Sequence, residues 1–167
     1  DGMSSVAMPD KYLDGTYLIT LDWEWLGSLC NSAAGGDFLS FTRKAEWVDA
    51  DANSRALRLS LKGLQGGHSG VGINLGRANA LVCMATILSR LTENGVPVHI
   101  ADFHGGEAKN AIPAQAEATI VIPADKESQV QKLLDKYEKD FITAFGVSET
   151  SYSRAGSCET MPARVLC

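Results

Sequence analysis

The stretch from Gly63 to Gly70 limits the possible folds of this chain more than any other, because the periodicity of the sequence changes across it. Before it, Arg55–Lys62 alternates apolar and polar residues, which predicts a strand that is packed on one face and solvated on the other. After it, apolar residues recur at the spacing of a helix. Glycine allows a backbone to turn sharply or to approach another group closely. The glycines therefore predict a strand-to-helix corner that carries one imidazole, that of His68.

The rest of the chain predicts an α+β domain around this corner. The expected elements are a strand at 55–62, a helix from about 75 to 94, strands at 98–103 and 116–123, a helix at 125–146 and a strand at 147–153. In the first helix, Leu81, Met84, Ala85, Leu88 and Leu91 are expected on the core face. A four-stranded antiparallel sheet with two helices on one face accommodates this order, which is the ferredoxin-like arrangement.

An additional strand or hairpin is expected ahead of this domain. Thr16–Leu21 is nearly continuously apolar, as in a strand covered on both faces, and Asp22 follows it directly. Phe38–Val48 predicts a long strand, joined to the strand at 55–62 by the polar loop Asp49–Ser54. The small residues of Asn31–Gly36 form the best candidate domain boundary.

Composition excludes several functional classes. Apolar and charged fractions of 45% and 21% are those of a soluble globular protein, and a net charge of −5 without any basic run argues against nucleic acid as a partner. No apolar stretch approaches the roughly 20 residues of a membrane helix, so no membrane partner is expected, and no signal peptide is visible. The four cysteines form no C-x-x-C pair, which indicates a reducing, cytoplasmic location.

The stretch around His68 does not match either of two glycine-containing catalytic or binding motifs. The nucleophile elbow G-x-S-x-G needs glycine where Val71 stands, so Ser69 is not expected to be a nucleophile. No Gly-Lys-Ser/Thr follows, as a phosphate-binding loop would require.

A metal site made by this chain alone is not expected, because it would need three or four converging ligands. The only histidines are His68, His99 and His104, and none forms an H-E-x-x-H pair. In the strand that contains them, His99 and His104 are expected to point to opposite faces.

Two glycine-flanked polar turns stand in equivalent places, one at Gly66–Ser69 and one at Gly105–Pro113. The imidazole of His68 can donate to a developing oxyanion, and the amide of Asn110 can fix a carboxylate or carbonyl. The alternatives are a solvated corner for His68 and a simple Asx turn before proline for Asn110.

Together these residues resemble the M20 metallopeptidases, and most closely the aminoacyl-histidine (Xaa-His) dipeptidases. The matching blocks occur in family order and span most of the chain up to Pro123: Gly2-Met3, Leu21-Asp22 followed by Glu24, Ala34-Gly35-Gly36, Lys62–Gly70, Gly76–Ala80, Gly105-Gly106 and Asn110–Pro113.

The resemblance implies zinc-dependent hydrolysis of short peptides such as Xaa-His dipeptides. Such enzymes combine an α/β catalytic domain, which holds two zinc ions and a general-base glutamate, with an inserted ferredoxin-like lid through which they form homodimers. By its place in the motifs, His68 would be the catalytic lid histidine that stabilises the oxyanion. Asn110 would contact the substrate, and Asp22 would be a metal ligand.

The resemblance also divides the chain. We expect residues 1–36 to be a partial catalytic-domain segment, residues 37–156 the lid or dimerisation domain, and residues 157–167 a tail that leads back to the catalytic domain. The family's glutamate pair and its other metal ligands have no match in this sequence, and Trp23 and Trp25 flank Glu24 where the family is usually small or acidic. We therefore expect an excised fragment that is inactive alone, binds no metal and partners the remainder of its catalytic domain. The alternative is a non-catalytic α+β dimerisation or interaction module.

Overall fold

The computed structural model of the chain describes part of the sequence, namely residues 9, 14–17, 19, 21, 25–32, 37, 39–145, 152–157, 162 and 164–166. For residues 145 and 152–157, the description covers the backbone. The chain divides into two compact units, Asp1–Thr42 and Arg43–Cys167.

The described residues of the first unit form neither helix nor strand. The predicted strand at Thr16–Leu21 is therefore wrong for the described part of that stretch, where Tyr17, Ile19 and Leu21 are 88%, 80% and 92% exposed. An apolar run becomes a buried strand only when neighbouring strands pair with it and cover it. No such neighbour is present among the described residues of this unit. Asp22, Trp23 and Glu24 lie outside the described residues.

The second unit contains all the regular elements that the structure describes. In chain order they are β1 (Trp47–Asp49), β2 (Ser54–Lys62), β3 (Gly67–His68), α1 (Ser69–Gly72), a 3₁₀ turn (Ile73–Leu75), α2 (Ala80–Glu93), β4 (His99–Gly105), β5 (Ala111–Ile112), β6 (Ala116–Pro123), a 3₁₀ turn (Ala124–Lys126), α3 (Glu127–Phe145), β7 (Tyr152–Ser157) and β8 (Arg164–Leu166).

The centre of this unit is a four-stranded antiparallel sheet with the spatial order β4-β6-β2-β7. β2 and β6 lie in the middle, and their register places Leu57 opposite Ile120 and Leu61 opposite Ala116. Alternation along β2 then sends its leucines to one face and Arg58, Ser60 and Lys62 to the other. The predicted division of this strand into one apolar face and one polar face is confirmed.

Helices α2 and α3 pack against the leucine face, where they bury one continuous core. The largest fully buried side chains of that core are Leu61, Met84, Ile87, Leu91, Val96, Ile120, Ile122 and Val130. Burial of each such side chain contributes about 1.5–3 kcal/mol to folding. The predicted α+β class, with an antiparallel sheet, is confirmed.

Local signals set the limits of α2. The side-chain oxygen of Asn79 accepts from the backbone N–H groups of Leu81 and Val82 at 3.0 and 3.2 Å, which caps the helix start. Gly95, with φ of 77°, follows its end, which lies within one residue of the predicted end at 94. The expected core face is confirmed at Met84, Leu88 and Leu91, but Ala85 is exposed.

Most of the predicted elements of the second unit are confirmed, but α2 begins at Ala80 rather than near residue 75, and two elements at the ends of the unit also differ. The last strand of the sheet is Tyr152–Ser157 rather than 147–153, and residues 147–151 lie outside the described residues. Within the described residues 39–48, the predicted long strand at Phe38–Val48 is present only as part of Trp47–Asp49, which pairs with β8 instead of forming a hairpin with β2. Both edges of β2 are already occupied by β6 and β7, so no edge remains for a hairpin partner.

A β-bulge in β4 corrects the expectation for two histidines. The register shifts between Ile100 and Asp102, so that His99 lies opposite Val121 and His104 lies opposite Glu117. These partners share one face of β6, and His99 and His104 therefore lie on the same side of the sheet.

The face of the sheet opposite the helices is partly covered and partly polar. The β1–β8 pair covers one part, where Val165 packs with Ala56 and Val121. The uncovered part carries an ion pair between Lys62 Nζ and Glu117 Oε1 at 2.8 Å.

Among the described residues, no single helix is long and apolar enough to cross a membrane. Only the bent helix pair Ser69–Leu75 and Ala80–Glu93 has the length and composition of a membrane span.

The Lys62–Glu117 pair predicts a pH-dependent stability. The hydrogen bond from Lys62 holds the pKa of the Glu117 carboxyl below its ordinary value, and it outweighs the opposing effect of burial. A lowered pKa in the folded state stabilises the protein above the ordinary glutamate pKa, and this contribution disappears as the pH falls through the lowered value. Because Lys62 is half exposed, Glu117→Gln should lower the free energy of unfolding by about 0.2–1 kcal/mol at pH 7 and by less near pH 3.

Urea unfolding of the unsubstituted protein and of Glu117→Gln, each at the two pH values, measures this difference in the free energy of unfolding. Glu46→Gln is the control, because Glu46 is exposed and makes no ion pair with any described residue. An equal effect of Glu117→Gln at both pH values would contradict the assignment.

Candidate functional site

Two turns meet at one end of the second unit, and they carry the two residues singled out from the sequence of this unit. β3 pairs with β5 in antiparallel register, with His68 opposite Ala111. The backbone N–H of Ser69 donates to the carbonyl oxygen of Asn110 at 2.8 Å. Both His68 and Asn110 are exposed. The structure therefore brings the histidine turn and the Asn-Ala-Ile-Pro turn together through backbone hydrogen bonds, although more than forty residues of chain separate them.

The imidazole of His68 caps the helix that follows it. Its Nδ1 accepts from the backbone N–H groups of Gly70 and Val71 at 3.1 and 3.4 Å. The first N–H groups of a helix have no partner within the helix, so a side-chain acceptor at this position satisfies them. A nitrogen that accepts carries no proton, and the proton of the neutral ring is thereby assigned to Nε2. The capping contact turns His68 into an exposed hydrogen-bond donor through Nε2.

Gly70 allows this contact because it has no side chain. A Cβ atom at position 70 would lie 2.9 Å from Cε1 and 3.1 Å from Nδ1 of His68, closer than such atoms pack. The backbone of Gly70 is not in the left-handed region, so the imidazole, rather than the turn itself, requires glycine here. Sequence reasoning gave this glycine no such role, because a contact between a side chain and the backbone leaves no periodic signal.

Asn110 does not form the Asx turn that its sequence left open as an alternative. Its side-chain amide makes no hydrogen bond with any described residue, whereas an Asx turn requires one to the nearby backbone. The amide therefore retains two donors and an acceptor for another molecule. The turn itself is closed by the backbone, since Ala111 N–H donates to Ala108 O at 3.2 Å.

The arrangement lacks the geometry for a serine nucleophile. Nδ1 of His68 is engaged by backbone N–H groups, and the Ser69 hydroxyl makes no hydrogen bond with any described residue. A serine nucleophile needs a base within hydrogen-bond reach. What the two turns offer is a pair of neutral polar groups, one donor on a ring and one amide.

The described residues do not fit a bound metal ion. No group of three or more histidine, cysteine, aspartate or glutamate side chains among them has the arrangement to hold one. His104 pairs with Asp102 at 2.5 Å, and His99 Nδ1 lies 3.3 Å from the carbonyl oxygen of Leu166. Asp22, the predicted metal ligand, lies outside the described residues, so its role stays a prediction.

Known proteins are similar to this chain in sequence and in fold. The sequence model of the M20 peptidase dimerisation domain matches residues 59–147, which include both turns. The chain is 34% identical over 129 residues to the cytosol non-specific dipeptidase of Escherichia coli (strain K12), a match that covers 77% of this chain and 26% of that protein. A crystal structure of aminoacylhistidine dipeptidase from Vibrio alginolyticus is similar with a TM-score of 0.65 and 30% identity, covering 72% of this chain and 26% of that one.

The chain thus spans about a quarter of the length of these relatives. The family match covers more than half of the chain, and it includes the end of β2, all of β6 and both long helices. The chain therefore belongs to the peptidase dimerisation domain family of the M20 peptidases.

Proposed function

We propose that this chain is the lid and dimerisation part of a longer, metal-dependent dipeptidase that hydrolyses short peptides such as Xaa-His dipeptides. The two relatives named above are dipeptidases by name, and one is an aminoacylhistidine dipeptidase. The chain alone is proposed to be inactive. Zinc is the proposed metal, as the resemblance implies, and Asp22 is retained only as a proposed ligand within the complete enzyme.

The observation that carries the proposal is the capped imidazole. His68 is exposed, its Nδ1 accepts from two backbone N–H groups, and its Nε2 makes no hydrogen bond with any described residue. A donor that is already oriented stabilises the negative charge that develops on a carbonyl oxygen during peptide hydrolysis. This role does not depend on which groups hold the metal ions.

Asn110 is the proposed substrate-binding group. Its unengaged amide lies on the turn that Ser69 joins to the histidine turn. An amide is neutral and can donate to a substrate carboxylate or accept from a substrate N–H without a change of protonation. It would thus hold the peptide beside the donor on His68.

The remaining proposals concern the organisation of the longer protein. We propose the division into residues 1–36, 37–156 and 157–167, and a ferredoxin-like class for the lid, which the strand order and the placement of α2 and α3 support. The high exposure of Tyr17, Ile19 and Leu21 supports the remainder of a catalytic domain as the partner that covers them. A homodimer is supported by the family's dimerisation role, and a cytoplasmic location by the relative's name.

A second candidate function is a dimerisation or interaction module without a catalytic role. Four apolar side chains favour it, because Val71, Ile73, Leu75 and Val82 are between 45% and 69% exposed on neighbouring elements. In that case the fold would matter for association, and the polar groups of the two turns would not affect catalysis. Substitution of the two polar residues separates the candidates.

His68→Ala in the longer enzyme should lower kcat by about 10²–10³-fold, which is the usual effect of removing one oxyanion donor. Metal content, measured by elemental analysis, should not change. His99→Ala is the matched control, since His99 lies at the far end of β4 from the turns. Wild-type kcat in His68→Ala would remove the catalytic role and leave the interaction module.

Asn110→Ala should act mainly on substrate binding. Loss of one neutral hydrogen bond, about 0.5–1.5 kcal/mol, corresponds to a rise in KM of roughly 2- to 10-fold with kcat much less affected. Steady-state kinetics with an Xaa-His dipeptide measures both constants. An unchanged KM would rule out the assigned contact.

Gly70→Ala should lower kcat although alanine favours helix formation, because the added methyl group displaces the imidazole. A displacement of well under 1 Å should cost roughly 10-fold in kcat. The His68→Ala background is the control, since no imidazole remains there to be displaced. Gly70→Ala should then have no further effect on kcat, and an equal loss in both backgrounds would contradict the contact.

A further inference from the structure

The turn that carries His68 has little support from its own secondary structure. β3 and β5 contain two residues each, and α1 contains four. Gly66 and Gly67 have φ values of 58° and 123°, in a region that glycine enters freely. Such short elements with few backbone hydrogen bonds open more readily than the core of a sheet. A fixed position for the imidazole therefore needs support from elsewhere in the fold.

Arg77 contacts the turn on both sides of His68. Its Nη1 donates to the carbonyl oxygen of Gly66 at 2.6 Å. A Cβ atom at Gly67 would overlap Nη1, and one at Gly72 would lie 3.4 Å from it. Because Gly67 precedes His68 and Gly72 ends the short helix after it, the guanidinium packs between the two arms of the turn.

The environment of Arg77 is not that of an ordinary surface arginine. The residue is half-buried, it forms no ion pair with any described residue, and its buried Nε has no hydrogen-bond partner there. A partly buried cation without a counter-charge is costly to fold. The contact that this placement does provide is a charge-assisted hydrogen bond to the carbonyl oxygen of the buried Gly66. The stability of an ion pair therefore does not account for the placement of this side chain.

We infer that Arg77 is a positioning residue that holds the histidine turn in the geometry in which His68 can act. This inference rests on the proposed function of His68. The planar guanidinium donates to the carbonyl oxygen of Gly66. It also fills the space that side chains would occupy if Gly67 and Gly72 were larger residues. Lysine can supply the charge and one hydrogen bond but not the flat group that fits between the two arms.

The test uses Arg77→Met and Arg77→Lys in the longer enzyme, with Arg58→Met as the control. Arg58 is an exposed arginine on the other face of the sheet and makes no ion pair with any described residue. Arg77→Met should lower kcat by ~10-fold or more and change KM by less than about 2-fold, because the imidazole loses its position while substrate contacts remain. Arg77→Lys should give an intermediate kcat. Arg58→Met should leave both constants unchanged.

A double-mutant cycle separates positioning from general stability. If Arg77 acts through His68, then Arg77→Met should not lower kcat further in the His68→Ala background. A loss that is equal with and without His68 would overturn the inference while leaving the function of His68 intact. Wild-type kcat in His68→Ala would instead overturn the proposed function and this inference with it. If Arg77→Met does not fold, Arg77→Lys decides, because a wild-type kcat there overturns the inference.

Discussion

The packing of two helices against one face of a four-stranded sheet is the constraint on which the rest of the molecule depends. The leucine face of β2 and the matching face of β6 are covered by α2 and α3, and this places the ends of the central strands and the start of α2 in fixed positions. The segment that carries His68 leaves the end of β2 and returns to α2, so its two ends are anchored in the core. Its middle is made of glycines and very short elements, which the core does not reach.

In the segment that carries His68, the backbone defines the position of the imidazole more than other side chains do. Peptide N–H groups of the first helical turn hold one nitrogen of the imidazole, and a peptide carbonyl on the neighbouring turn accepts from Ser69. Functional groups on loops are useful only when a rigid scaffold fixes them, and backbone hydrogen bonds do this without introducing further reactive groups. The absence of a side chain at Gly70 is as much a part of the site as the imidazole that occupies the space.

Hydrophobic periodicity was sufficient to predict β2, β6 and the two long helices, because each of these elements has one face in the core. It was not sufficient where pairing depends on distant parts of the chain. The polar run at 49–54 suggested a hairpin, but both edges of β2 are taken by strands that come much later, and β1 pairs with β8 instead. For the candidate site, residue types and resemblance indicated His68 and Asn110. The capping contact and the packing of Arg77 are side chain–backbone relations with no periodic signature.

The bulge in β4 reconciles an irregular sequence with a regular sheet. Ile100 and Phe103 are three residues apart, so a strand of strict alternation would turn one of them away from the helices. The extra residue at Ala101 lets both lie opposite inward-facing residues of β6, and Ala101 itself packs beside Val121. One inserted residue is thus absorbed within a single pleat and the remaining pairs keep their partners. The strand thereby reaches the turn after Gly105 with its inward-facing residues still in register with β6.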